Sequence, residues 1–299
     1  MKIRLLFTYL FFISLHVSAQ KGILVIQTDF GQKDAAVATM KGVAMQVSAQ
    51  LRVFDLTHEI PPFNIWEAAY RLEQTAKYWP AGTVFVSVVD PGVGSERKSV
   101  VLKTKSGHYF VSPDNGTLTL VSQTLGIAAV REIDEKVNRL KGSADSYTFH
   151  GRDVYVYTAA RLAAGVIKFE QVGKRLPDSV ISIPFQQPEL LHGVINGNIP
   201  VLDIQYGNVW TNIPEKLLKE AGVHFGDMLK VTIWEDQTPV YRGILPFVKT
   251  FAEVAPQKEM CYVNSLLNLS IAINLGNFAN QYHVGSGPEW RIEVETIKK

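Results

Sequence analysis

Short apolar runs alternating with helical periods constrain this chain more than any other feature of its sequence. Residues 23–27 (ILVIQ), 53–56 and 83–89 (TVFVSVV) are β-rich and apolar throughout, the texture of strands buried on both faces of a parallel sheet. Between them, residues 34–48 are rich in Ala, Val and Met. Residues 65–78 open on Asn64, carry Glu67 at capping-box spacing and stop before Pro80. Residues 154–164 (VYVYTAARLAA) read as a further helix closed by Gly165. This alternation predicts an α/β N-terminal domain with a Rossmann-like layered sheet over residues 20–184. After a linker at 185–192, turn signals crowd together: Asn196-Gly197-Asn198, Tyr206-Gly207-Asn208, Asp236-Gln237 and Gly285 to Pro288. Strand patterns at 228–234, 241–245 and 290–295 complete the expectation of a mostly antiparallel C-terminal β-barrel domain over 193–299.

Composition narrows the function. A chain of 299 residues, 46% hydrophobic and 19% charged, is neither disordered nor low-complexity. Lys2 and Arg4 precede an apolar run at 5–15, followed by Val17-Ser18-Ala19. This reads as a secretory signal peptide over residues 1–19, cleaved after Ala19, and predicts an exported protein. The run is too short for the ~20 residues that span a bilayer, so no membrane partner is expected once the leader is removed. The formal charge is +2, and without Lys2 and Arg4 the chain carries 28 basic and 28 acidic residues. Neutrality argues against a nucleic-acid partner, which calls for a basic face. The single cysteine, Cys261, cannot form an internal disulfide or a thiolate metal cluster.

Four carboxylates, Asp29, Asp55, Asp90 and Asp114, fall at the predicted carboxyl ends of apolar strands, the edge where open α/β sheets bind ligands. They sit in glycine-bearing segments: Thr28-Asp29-Phe30-Gly31, Asp90-Pro91-Gly92-Val93-Gly94-Ser95-Glu96-Arg97 and Pro113-Asp114-Asn115-Gly116. A fourth segment is Thr148-Phe149-His150-Gly151-Arg152-Asp153. Glycine beside a polar side chain lets backbone approach a ligand closely. Singly, each segment is weak. Gly92 to Arg97 lacks the third glycine of a dinucleotide fingerprint and leads into a strand, and Pro113 to Gly116 fits a type I turn. The spacing around His150 is not that of a kinase catalytic loop. Asp90 with Arg97 equally fits a loop-bracing ion pair, and His150 a helix cap. Arg152 and Asp153 read as structural residues of the first helical turn.

Together and in this order, the four segments resemble the S-adenosyl-L-methionine hydroxide adenosyltransferase family, relatives of the fluorinating and chlorinating adenosyl transferases. Residues 203–213 (DIQYGNVWTNI) and 262–265 (YVNS) extend the resemblance, which covers about residues 22–295. It implies an α/β domain and a β-barrel, assembled as a homotrimer with sites between one subunit's first domain and a neighbour's second. It also implies hydrolysis of S-adenosyl-L-methionine to adenosine and L-methionine. The sulfonium is itself the substrate, so neither a cofactor nor a metal is called for. A water-handling triad would be Asp90, Arg97 and His150, which the halogenating branch lacks. In that role Asp90 and His150 would hold and deprotonate the water, with Arg97 fixing the carboxylate. Asp29 matches the ribose-binding carboxylate, Asp34 and Asp203 acidic positions near the methionine ammonium, and Asn208 an adenine-reading amide. Ser265 matches a hydroxyl near the methionine carboxylate, Phe63 an aromatic against the nucleoside, and Phe251 a second stacking position. Two departures stand out: Ala36 and Ala38 replace a Tyr and a Gly, and Leu267 replaces a Gly.

The chemistry agrees with this reading. The C5′ carbon of a sulfonium is already activated and its leaving thioether is neutral, so the protein's task is to place one water and remove its proton, a service worth ~10²–10⁴-fold. Three alternatives compete: an exported adenosyl-ligand binding protein without turnover, a halogenase, and a hydrolase of another nucleoside sulfonium.

Overall fold

The computed structural model describes residues 22–297; the leader expected over residues 1–19 lies outside them. β1 (Ile23–Thr28) pairs in parallel with β2 (Arg52–Thr57) on one side and β3 (Val84–Val88) on the other. β3 pairs in parallel with β5 (Tyr109–Pro113), and from there the sheet turns antiparallel through β4 (Ser99–Thr104), β6 (Ile127–Glu132) and β7 (Arg175–Leu176). The result is a seven-stranded mixed sheet in the order β2-β1-β3-β5-β4-β6-β7.

Alternation of side chains divides its core in two. Leu24, Ile26, Val84, Val86 and Val88 point to one face, against α1 (Ala36–Val47) and α4 (Tyr157–Ala163) with the π-helical turn Gly151–Val156 that precedes α4. Val25 and Phe85 point to the other, with Phe110, Leu72 of α2 (Ile65–Ala76) and Val121 of α3 (Thr119–Thr124). This is the expected layered α/β arrangement, with one correction. β2 is an edge strand and partly exposed along its whole length, not buried on both faces; among the described residues β1 pairs with one of its edges and no strand with the other.

The α2 start shows how local rules act. The Asn64 side chain accepts from the Glu67 amide at 2.9 Å, but Glu67 does not reach back; its carboxylate takes Arg71 at 3.0 Å instead. The capping box is therefore half made.

The second half carries β8 (Glu189–Leu191), β9 (Val194–Asn198), β10 (Val201–Asp203), β11 (Asn208–Pro214), α5 (Glu215–Glu220), β12 (Met228–Glu235) and β13 (Thr238–Pro246). β14 (Glu259–Val263), β15 (Asn268–Ile273), α6 (Phe278–Tyr282) and β16 (Trp290–Ile297) follow. The expected barrel is corrected: two open antiparallel sheets, β10-β11-β15-β14 and β13-β12-β16-β9-β8, face each other across one shared core that includes Val209, Ile271, Val231 and Val294. Pro200 explains part of the opening. It separates β9 from β10 and has no N–H to continue a ladder, so the chain changes sheets there. On the far side one isolated bridge, Phe247 with Cys261, reaches from the end of β13 to β14.

The bend at Pro200 also ties the halves together. Trp66 of α2 donates its indole N–H to the Pro200 carbonyl at 2.9 Å, and Trp66, Tyr70 and Leu120 pack with Val201, Phe185, Trp210 and Leu266.

Asn64→Ala is expected to lower unfolding free energy by about 1 kcal/mol, the usual cost of a lost N-cap, measured as a lower denaturant midpoint with unchanged slope.

Candidate active site

Strands β1 and β3 run side by side and end at the same edge of the sheet, which brings the residues following them together. A cleft of about 260 Å³ opens there, lined by Asp29, Phe30, Phe63, Asp90, Phe149 and His150 among others. Asp29 accepts the Phe63 amide at 2.9 Å, pinning Phe63 at φ +68, in the left-handed region, and the residue is 69% exposed. Such backbone costs a non-glycine residue about 1–2 kcal/mol and persists where its surroundings hold it.

Asp90 and Arg97 close the loop between β3 and β4. Arg97 Nε donates to Asp90 Oδ1 at 2.6 Å and a terminal nitrogen donates to Oδ2, a two-pronged pair that is almost wholly enclosed. The other terminal nitrogen donates to Ser99 Oγ at 3.2 Å; that hydroxyl meets the Tyr155 hydroxyl at 3.1 Å, and the guanidinium lies over the Tyr155 ring. Burial pushes the Tyr155 phenol far above its ordinary range, so it stays neutral. This geometry fixes the carboxylate bidentately.

His150 enters just before the π-helical turn. Its side chain caps no helix, which disposes of the capping alternative. It is 5% exposed, and its Nδ1 has no hydrogen-bond partner, while Nε2 lies 3.8 Å from Glu135 Oε1. Burial lowers the His150 pKa below its ordinary value; the Glu135 carboxylate opposes the shift, Arg139 and Arg97 reinforce it, and Asp90 opposes it weakly. Burial therefore favours the neutral imidazole at neutral pH, with Nδ1 unpartnered. Gly151 packs closely beside it: a Cβ there would lie 3.2 Å from the Phe30 ring, which would have to shift by a few tenths of an ångström. Arg152 and Asp153 pair with each other, Asp153 fully buried and its carbonyl accepting from Leu140, as a structural tie.

A second cleft of about 700 Å³ lies in the other half, lined by Asp203, Tyr206, Asn208, Trp210, Phe251, Tyr262 and Ser265 among others. Asn208 donates to Asp203 at 3.2 Å, and Phe251 meets Tyr262 edge-on at 5.0 Å. Burial raises the Tyr262 phenol pKa, and Asp203 adds to the shift. Gly207 is irreplaceable here: its φ is +67, and a Cβ would lie 2.0 Å from the Asn277 side chain.

The sequence-predicted residues thus divide. Asp29, Phe63, Asp90 and His150 line the first cleft, with Arg97 behind Asp90; Asp203, Asn208, Phe251 and Ser265 line the second. Within one chain the two clefts share no residue. Asp34 lines neither; it is exposed and accepts the Ala36 amide at 2.7 Å. Two of the four strand-end carboxylates are corrected. Asp55 sits inside β2, opposite Ile26, and pairs with Lys41 at 2.7 Å and His58 at 3.0 Å. Asp114 follows β5 but accepts the Ile181 amide at 2.8 Å, holding the chain that leads to the second half. Leu267 keeps φ +64, the conformation that favours glycine, with its side chain exposed. Sequence reasoning missed Glu135, Ser99 and Tyr155. No motif contains Glu135, and only the fold brings it to His150.

The fold and the first cleft define a two-part α/β enzyme whose neutral imidazole and pinned carboxylate meet at the carboxyl edge of the sheet. The chain belongs to the S-adenosyl-L-methionine hydroxide adenosyltransferase family: the model of the family's N-terminal domain matches residues 24–173 and that of its C-terminal domain residues 197–291. It is 34% identical to an (R)-S-adenosyl-L-methionine hydrolase of Methanocaldococcus jannaschii, over 92% of this chain and 95% of that one. It is also 30% identical to a fluorinase of Actinopolyspora mzabensis, over 92% and 98%. A crystal structure of an uncharacterized conserved protein from Thermotoga maritima superposes with a TM-score of 0.82 at 34% identity, covering 91% of this chain and all but 1% of the other. The expectation of export is corrected: nothing in these comparisons supports a secreted protein, and the expected leader lies outside the described residues.

Arg97→Met is expected to cost roughly 3–5 kcal/mol of stability, the usual penalty for stranding one partner of a buried pair. Urea denaturation checks this; a loss under 1 kcal/mol would show that Asp90 does not depend on the guanidinium.

Proposed function

We propose that the protein hydrolyses S-adenosyl-L-methionine to adenosine and L-methionine, with water attacking C5′ in line with the departing sulfur. The carrying observation is the His150 Nδ1: an enclosed nitrogen without a hydrogen-bond partner, on an imidazole that burial biases toward neutrality and that lines the same cleft as Asp90. Polar atoms enclosed in this way are normally paired, and no group of the described residues pairs this one. His150 accepts the proton of the attacking water. Asp90, with both oxygens engaged by Arg97, keeps lone pairs to orient that water. Arg97 holds the carboxylate in place and adds positive charge where hydroxide character develops.

Asp29 takes the ribose hydroxyls, and Phe63, held outward by Asp29, covers the nucleoside. The second cleft supplies the remaining contacts: Asn208 to the adenine edge, Phe251 as a stacking face, Asp203 toward the ammonium and sulfonium, Ser265 toward the carboxylate. Asp34 stands near the methionine end as a charge rather than a direct contact. No cofactor or metal enters this scheme. Leu266 and Leu267 mark the amino-acid end as the place where substrate preference departs from the relatives.

The separation of the two clefts supports an assembly in which one subunit's first domain (residues 20–184) meets a neighbour's second (193–299) across sites completed in trans. Exposed apolar side chains flank both clefts: Phe63 beside the first, Ile204, Tyr206 and Leu275 at or beside the second. The resemblance to the family supports a homotrimer. A halogenase reading is disfavoured because Asp90, Arg97 and His150, the triad that the halogenating branch lacks by the resemblance, are all present. Binding without turnover is disfavoured because the hydrolase relatives match along nearly the whole chain.

Incubating the purified protein with S-adenosyl-L-methionine, with and without chloride, is expected to give adenosine in both cases, carrying the label when the solvent is ¹⁸O-water. His150→Ala should lower kcat about 10²–10⁴-fold, the usual worth of an acid–base group, with little change in binding. Because His150 must be neutral to act and burial lowers its pKa, the acid limb of kcat/KM is expected below the ordinary histidine value of 6.5. A halogenated nucleoside, or a His150→Ala variant of full rate, would refute this assignment. Light scattering should give three times the chain mass.

A further inference from the structure

The Nε2 side of His150, opposite its unpartnered Nδ1, is built from a chain of fixed contacts. Nε2 lies 3.8 Å from Glu135 Oε1, while Glu135 Oε2 is fixed by Arg139 at 2.6 Å. Arg139 is itself anchored, donating to the carbonyls of Ser146 at 2.6 Å and Ser143 at 3.4 Å. Its guanidinium lies over the Tyr147 ring at 5.0 Å, and that ring is 6.4 Å from the imidazole of His150. One carboxylate is thus held in place at one nitrogen of a neutral histidine, and the other nitrogen is left unpaired.

A neutral imidazole carries one proton, and the nitrogen nearer a fixed carboxylate, which can only accept, is the one that keeps it. We infer that Glu135 is a positioning residue for His150: it holds the imidazole proton on Nε2 and so leaves the Nδ1 lone pair free to take a proton from the reacting water. This rests on the hydrolytic reading above and deepens it by naming which nitrogen is the base and what makes it so. In the step itself, a water proton passes to Nδ1, the water oxygen bonds to C5′, and the C5′–S bond breaks with its electron pair staying on sulfur as the neutral thioether of L-methionine. The resulting imidazolium faces Glu135 until the products leave, when it returns the Nδ1 proton to bulk water and the starting tautomer is restored. At 3.8 Å the contact is an ion-pair distance rather than a hydrogen bond, so the anion gains most strength when His150 becomes charged.

The charged groups facing His150 are Glu135 and Arg139 from one segment and Asp90 and Arg97 from the β3–β4 loop. Of these, Glu135 raises the imidazole pKa most, so its removal moves the His150 midpoint, and with it the acid limb of kcat/KM, to lower pH.

The test uses the full chain, labelled with ¹⁵N, as wild type, Glu135→Gln and Glu135→Ala. Imidazole nitrogen shifts are followed through a pH titration, and turnover of S-adenosyl-L-methionine is measured in parallel. Wild type should show His150 as the Nε2–H tautomer. Glu135→Ala should populate the Nδ1–H form, lower the midpoint and reduce kcat by roughly 10–100-fold with KM nearly unchanged, as for other groups that orient a functional histidine. Glu135→Gln, which keeps an acceptor oxygen facing Nε2 without the charge, should keep the tautomer and recover part of kcat while the midpoint stays low. An alanine variant with unchanged tautomer, midpoint and kcat overturns the inference. If the spectra shift as expected but no variant, wild type included, consumes S-adenosyl-L-methionine, the positioning role stands and the hydrolytic reading fails. If His150→Ala alone abolishes turnover while both Glu135 variants behave as wild type, the reverse holds.

Discussion

A guanidinium closed on one carboxylate organises the site. Asp90 follows β3 and Arg97 precedes β4, so their two-pronged pair fixes both ends of the loop that borders the first cleft. Burial makes this arrangement all or nothing. A charge taken out of water without its partner costs several kcal/mol, so neither residue can relax toward solvent. Ser99 and Tyr155 extend the pair into the core beneath the sheet edge. Tyr155 belongs to the π-helical turn that begins one residue after His150, so one network of contacts sets both the carboxylate and the imidazole.

The two polar groups are treated in opposite ways by the same surroundings. Asp90 has its charge matched by Arg97, while His150 loses its charge to burial. A fixed anion beside a neutral base suits a reaction in which water must be aimed and then deprotonated against a cationic sulfonium. A larger cleft, by contrast, lies elsewhere. The second cleft belongs to the antiparallel half, where Gly207 permits the close approach of Asn277 that shapes its floor. Asp90 and His150 thus line a different cleft from the one that Asp203, Asn208 and Ser265 line.

How much of this could be read from the residues depends on the range of the interactions involved. The helix starting after Asn64 was legible because a cap acts over three residues. The strands at 23–27 and 83–89 were legible because buried parallel strands are apolar on both faces. Residues 53–56 have the same texture, yet β2 is exposed, since only strand order decides which strand lies at an edge. The barrel expectation failed for a related reason. Turn signals show that strands reverse, but closure depends on whether first and last strands pair, and the change of sheet at Pro200 leaves two open layers.

Residue types and their order along the chain determined the layered α/β half, the strand-rich second half and the family, because these rest on short-range propensity and on motifs contained in single loops. Tertiary structure alone decided that, of four similar carboxylates, Asp29 and Asp90 face a cleft while Asp55 and Asp114 are spent on Lys41, His58 and the Ile181 amide. It alone brought Glu135 to His150. Those outcomes turn on strand register and on contacts between segments far apart in sequence, which no local pattern encodes: a side chain's partner, and with it its charge, is set by what the fold packs against it.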